Sequence, residues 1–131
     1  MNQRADFETQ CERVSRERGW GIEPKGIRIP CEDERSQLVE FAFLEESGRA
    51  RVRLYSRIGS RSLIDPAVLP TALDLNFKLP HGAFAVNGDQ LVLTETLPLD
   101  TLQAEDIAAA LLYLATTADH YEQTIFGPDE H

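Results

Sequence analysis

A chain of 131 residues is long enough for one domain and too short for two comfortable ones. At this size about two-thirds of the unfolded surface is buried on folding, so neither a metal nor a disulfide is needed to hold a core. The 22 acidic and 13 basic side chains leave a formal charge of −9, a surface that repels phosphate backbones and argues against nucleic acid as a partner.

The charge is uneven. Residues 1–61 hold 12 basic and 11 acidic side chains, whereas residues 62–131 hold only Lys78 against 11 acidic ones. Residues 1–20 are charged throughout, which excludes the apolar region of a signal peptide, and no apolar run approaches a membrane span. Cys11 and Cys31 are able to pair in principle, but without an export signal the expectation is two unpaired thiols in a reducing cytoplasm.

Residues 3–18 place Phe7, Cys11, Val14 and Arg18 on one helical stripe, with charges between them and Gly19 at the end. The stripe is thin, so this helix is expected to dock on a surface rather than sit centrally. Residues 20–29 read as an extended segment broken by Pro24 and Gly26, an edge strand at best. The polar cluster at 31–36 reads as a loop.

Two stronger strands follow, residues 37–45 and 50–58, joined through Ser47-Gly48 in a hairpin. In the first, Val39, Phe41 and Phe43 share one face and Leu38, Ala42 and Leu44 the other, the pattern of a central strand. In the second, Val52, Leu54 and Ile58 point one way, and Arg49, Arg51, Arg53, Tyr55 and Arg57 the other.

Asp65-Pro66 is a helix start, with Asp as N-cap and Pro at the first helical position; Pro70 within a turn implies a second start or a bend. Leu69, Ala72, Leu73, Asn76 and Phe77 are expected on the inward side, and Pro80 and Gly82 end the segment. Residues 83–86 and 90–96 form a hairpin on Asn87-Gly88-Asp89. A long helix over residues 103–126 then carries Ile107, Leu111, Leu114, Ala118, Tyr121 and Ile125 as its core stripe. Leu112 and Tyr113 give it a second apolar side, and Gly127-Pro128 stops it. The whole reads as one α+β domain in the order α-β-β-β-α-β-β-α, an antiparallel sheet with helices packed on it.

No catalytic set converges. His81, His120 and His131 stand in no metal-ligand spacing with the cysteines, although His120 neighbours Asp119 and Glu122. Ser56, Ser60 and Ser62 lie among arginines without a nucleophile elbow or phosphate loop, and Gly82 and Gly88 are turn glycines. The runs Glu32-Asp33-Glu34 and Glu45-Glu46 read as solvated loops. The expectation is a protein that is not an enzyme and carries no metal or cofactor.

One polar feature stands out. Arg51, Arg53 and Arg57, flanked by Arg49 and Arg61, project from one sheet face at intervals of about 6.6 Å per residue pair. Such a row is answered either by the chain's own acids, such as Glu40, Glu45, Asp89 or the last helix, or by an acidic or backbone-rich partner segment.

The element order, small size, acidity and lack of catalytic groups resemble the type III secretion chaperone-like fold, which includes the class I chaperones and the related YbjN domains. The likeness is carried most by residues 69–77 (LPTALDLNF), by 82–93 (GAFAVNGDQLVL) with the strand after it, and by the final helix. These match a helix ending in an Asn-aromatic step, a hairpin opened by small residues and closed on Asn-Gly, and a leucine- and alanine-rich helix. Residues 19–36 depart from the family pattern, being rich in Pro, Gly and charge where a clean first strand is expected. The resemblance implies a homodimer that binds a partly unfolded segment of a secreted protein along apolar patches and sheet edges. The residues expected to meet a partner are Phe41, Phe43, Arg51, Arg53, Leu54, Tyr55 and Arg57. Leu73, Phe77, Phe84 and Val92 carry more apolar surface than one helix readily covers, and are expected at a two-fold interface. The alternative is a YbjN-like regulatory or stress-linked module that binds a folded partner.

Overall fold

In the computed structural model, which describes residues 2–125, the chain opens with helix α1 (Gln3–Arg18). The Asn2 side chain caps it by accepting from the Ala5 N–H, and Gly19 ends it in the left-handed region. Phe7, Cys11 and Val14 are its buried stripe as expected, but the next inward position is Ser15, not Arg18. The Arg18 guanidinium lies over the Trp20 ring at 5.5 Å instead.

Six strands form one antiparallel sheet in the order β1-β2-β3-β4-β6-β5. They are β1 (Gly21–Glu23), β2 (Gly26–Pro30), β3 (Ser36–Glu46), β4 (Arg49–Ser60), β5 (Ala83–Asn87) and β6 (Gln90–Pro98). The extended segment broken by Pro24 and Gly26 is therefore a small hairpin, and the break is its turn. Gly26 is required there because a Cβ would drive into the Val39 carbonyl of the neighbouring strand. The two hydrophobic strands β3 and β4 lie at the centre, joined by Ser47-Gly48 with both residues at positive φ. In the β5–β6 hairpin Asn87 pairs with Gln90, so the loop proper is Gly88-Asp89, and its positive φ falls on Gly88.

Helix α2 (Val68–Asn76) starts later than the Asp-Pro step suggested. Asp65 accepts from the Ala67 N–H and forms the turn before the helix, and Pro70 falls within the first helical turn, where its missing N–H has no intrahelical partner to lose. Helix α3 (Ala104–Ile125) follows the expected stripe, with Ile107, Leu111, Leu114 and Ala118 buried and Tyr121 and Ile125 half-buried. Leu112 is exposed, so the second apolar side rests on Tyr113 alone. The stop at Gly127-Pro128, with Phe126 and His131, lies outside the described residues.

The core lies between one face of the sheet and the helices α1 and α3. Val39, Val52, Leu54, Ile58 and Leu93 meet Ile107, Leu111 and Leu114 there. The opposite face of β3 and β4, holding Leu38, Ala42, Leu44 and the arginine row, carries no helix among the described residues, and α2 flanks the β5 edge. Among the described residues no helix is long and apolar enough to cross a membrane.

Candidate functional site

Three surfaces gather the residues singled out from the sequence. The first lies between α1 and the β1–β2 hairpin. Phe7 packs edge-on against Phe41 at 5.3 Å and Phe43 at 5.8 Å between ring centroids, and the Arg4 guanidinium sits 4.2 Å over the Phe43 ring. Phe41 and Phe43 are thus only half-buried, and with Arg4, Lys25, Ile22 and Cys11 they line a cleft of about 220 Å³. Ile22 borders it, 45 % exposed. The two-residue turn Pro24-Lys25 makes Glu23 and Gly26 a hydrogen-bonded pair, so the N–H and C=O of Ile22, one step back, point away from β2. Strand β1 is the edge of the sheet, and no described residue pairs with these groups.

The second surface is the open sheet face. Leu54, expected to meet a partner, is fully buried in the core on the other side, because period-two alternation places it beside Val52 and Ile58. The arginines do share the open face. Arg57 Nε donates to Glu40 Oε2 at 3.0 Å, and that carboxylate is buried beneath it. Arg49 makes a forked pair with Asp100, which holds the Asp100 carboxyl below the usual range. Arg51 Nε lies 3.0 Å from Glu46 Oε1, but not at the angle of a hydrogen bond, so that N–H lacks an acceptor. Arg53 has only the Thr96 hydroxyl, 3.1 Å from its Nε, and forms no ion pair with a described residue. Of the expected acids Glu40 serves, while Asp89 accepts from Ser60 and Glu45 takes no arginine.

The third surface is the β5 edge with α2. Leu73 and Phe77 do not face inward as the helical reading supposed; they stand out from α2 at 69 % and 94 % exposure, one turn apart. The inward positions belong to Ala72 and Asn76. Phe84 and Val92, expected beside them at an interface, are buried within the chain. Phe84 packs edge-on against Tyr121 at 5.0 Å, and Val92 sits between Ala85 and Arg57 in the sheet register. Val86 and Leu63 add exposed apolar surface.

Arg35 donates two hydrogen bonds of 2.9 Å to the buried Asp119 carboxylate, tying the loop after β2 to α3. His120 therefore finds Asp119 already engaged, and packs edge-on against Tyr121. Both cysteines are unpaired; burial raises the Cys11 thiol to about 12 and, with Asp119 nearby, the Cys31 thiol to about 11, far from the range of a nucleophilic thiolate. Among the described residues no three His, Cys, Asp or Glu side chains come together as a metal site.

Two contributors were not singled out from the sequence, Ile22 and the Arg35–Asp119 pair, and a third, Asn76, was expected on the inward side of its helix without its bonding role. Ile22 was hidden by reading its segment as one broken strand. Asn76 sits at the Asn-aromatic step, a visible signal whose use emerges only when β5 lies beside α2. Arg35 and Asp119 are 84 residues apart, and nothing local links them.

No protein-family model and no curated protein matches the chain. Solved structures do match. The type III secretion chaperone SycH of Yersinia pestis, in complex with a stable fragment of YscM2, aligns with a TM-score of 0.56 at 18 % identity, over 89 % of this chain and 97 % of that one. The HopA1–SchA chaperone–effector complex aligns with a TM-score of 0.47 at 11 % identity, over 82 % and 89 %. The chain has the type III secretion chaperone-like fold.

Proposed function

We propose that this chain is a non-enzymatic, cytoplasmic binding module that works as a homodimer and holds an extended segment of a partner protein. The observation that carries the reading is the unpaired Ile22 edge beside the cleft of Phe41 and Phe43. A segment added there gains main-chain hydrogen bonds from Ile22 and places alternate side chains over the aromatic floor. The fold supports it, since SycH, which shares it, is a chaperone seen with a fragment of another protein. The other edge is less suited, because Asn76 already occupies the outward groups of Phe84.

The dimer rests on a separate observation. Leu73 and Phe77 form an apolar ridge on α2 that nothing among the described residues covers, and a two-fold contact there buries both copies of it.

The test is recovery of the tagged protein with its partner from the native cell, followed by hydrogen exchange on the complex. Protection of β1 and of one linear partner segment is expected, and Ile22→Pro, which removes the outward N–H, is expected to weaken the complex at least tenfold. A folded partner protected over no linear segment, with Ile22→Pro neutral, points to the YbjN-like regulatory reading instead.

A further inference from the structure

We propose that the open face of the sheet is a second recognition surface, shaped for a short acidic segment of a partner protein, with Arg53 at its centre. Arg53 stands in register between Ala42 of β3 and Thr96 of β6. Both neighbours are small, so its stem and guanidinium are uncovered. Among the described residues only its Nε finds a partner, the Thr96 hydroxyl, and none meets the outer guanidinium N–H groups. Among the described residues of this sheet face the vacancy is particular to Arg53: Glu40 answers Arg57, Glu46 lies against Arg51, Asp100 answers Arg49 and Glu23 answers Arg28.

Further basic side chains stand beside Arg53, each already close to a carboxylate among the described residues except Lys25. Arg57 is half-exposed, with Nε committed to Glu40. Arg57, Arg28 and Lys25 rim a cleft of about 320 Å³ with Leu38 and Ser36, which Glu40 and Glu122 also line. Tyr55, half-buried, lies between Arg53 and Arg57 on the same face and offers an apolar wall between two carboxylate seats. A carboxylate that reaches Arg53 takes two parallel charge-assisted hydrogen bonds and displaces no resident acid. The net charge of −9 repels a long polyanion at a distance, which favours a few carboxylates set among apolar residues over a phosphate chain. This surface lies on the side of the sheet away from α1, so its occupant is distinct from a segment held at Ile22.

The test is fluorescence anisotropy of the full chain with a short labelled peptide alternating glutamate and tyrosine, against its glutamine counterpart and a single-stranded RNA oligonucleotide. The acidic peptide is expected to bind at least about tenfold more tightly than the other two. Arg53→Glu is expected to abolish that preference, and Arg53→Lys, which keeps the charge and loses the fork, to weaken binding severalfold. Ile22→Pro is expected to leave it unchanged, so failure of the strand-edge reading is separable from failure of this one. Thermal unfolding of each variant checks that an exposed substitution has left the fold intact. Equal binding of the glutamine peptide, RNA binding as tight as the acidic peptide, or Arg53→Glu binding like the unmodified chain overturns the proposal.

Discussion

The Asn76 side chain takes the place of a seventh strand at one point of the sheet: its carboxamide accepts from the Phe84 N–H at 2.6 Å and donates to the Phe84 carbonyl at 3.2 Å. One primary amide thus satisfies both outward backbone groups of an edge residue, as a neighbouring peptide unit does. It also locks the end of α2 to β5, which is why Leu73 and Phe77 turn outward.

Asn76→Ala removes both bonds and leaves the Phe84 groups unpaired beside a helix. The expected loss is about 1–3 kcal/mol by urea unfolding. Asn76→Asp keeps the acceptor and loses the donor, so it is expected to fall between the two. Equal stability of Asn76→Ala and the unmodified chain argues against this pairing.

Phe77 and Phe84 separate interface from core. Phe77→Asp touches an exposed residue, and the expected change in monomer stability is within about 0.5 kcal/mol. In the dimer reading the same variant shifts sedimentation from dimer to monomer at micromolar concentration. Phe84→Ala opens the packing against Tyr121 and is expected to cost about 3–5 kcal/mol.

Breaking the Arg35–Asp119 pair is expected to be asymmetric. Arg35→Ala leaves a carboxylate buried on α3 without a donor, with a loss of about 3 kcal/mol. Asp119→Ala leaves an arginine that reaches solvent, and its loss is expected to be smaller, about 1–2 kcal/mol. Chemical denaturation of both variants measures the order.

Glu122 gives a pH signature. Burial, and then the Asp119 charge, raise its carboxyl above the ordinary value. The folded state therefore binds its proton more tightly than the unfolded state does, so ionised Glu122 works against folding at neutral pH and ceases to as pH falls through its folded value. Glu122→Gln is expected to raise the melting temperature at pH 7, and the difference is expected to close near pH 4. Asp100 carries the opposite sign: its depressed carboxyl contributes above its unfolded value and is lost on acidification through the folded one.

The thiols are expected to resist labelling in the folded chain. Cys31 is half-buried and reacts first, slowly at pH 8, while Cys11 in the core stripe of α1 waits for unfolding. Rapid modification of both in native conditions is the contrary result.

Much of the fold was legible because its signals are local. The stripes of α1 and α3, the two faces of β3, the arginine alternation of β4 and the glycine turns all repeat at the period of their own element. The β1–β2 hairpin was obscured because Pro24 and Gly26 read as a break, and only the packing of Gly26 against Val39 shows that the break is a turn. Site residues were legible where alternation alone places them, as for Arg51, Arg53, Tyr55 and Arg57. Phe84 and Val92 were misplaced because an apolar side chain looks the same whether it faces a partner or the core, whereas Leu54 was grouped with the arginines although alternation already sets it on the other face, beside Val52 and Ile58.

The amino-acid sequence by itself determined the α+β class, the order of the elements apart from the division of the first strand into β1 and β2, and the charge of the β3 and β4 faces, since these follow from the periodicity and chemistry of neighbouring residues. Tertiary structure alone decided which carboxylates answer which arginines, which edge stays open, and which apolar residues remain outside. Those outcomes depend on pairs such as Arg35 with Asp119, 84 residues apart, and Asn76 with Phe84, which meet only when the elements that carry them pack together. Physically, a local period acts within one element, whereas burial and ion pairing are set by what the other elements leave uncovered.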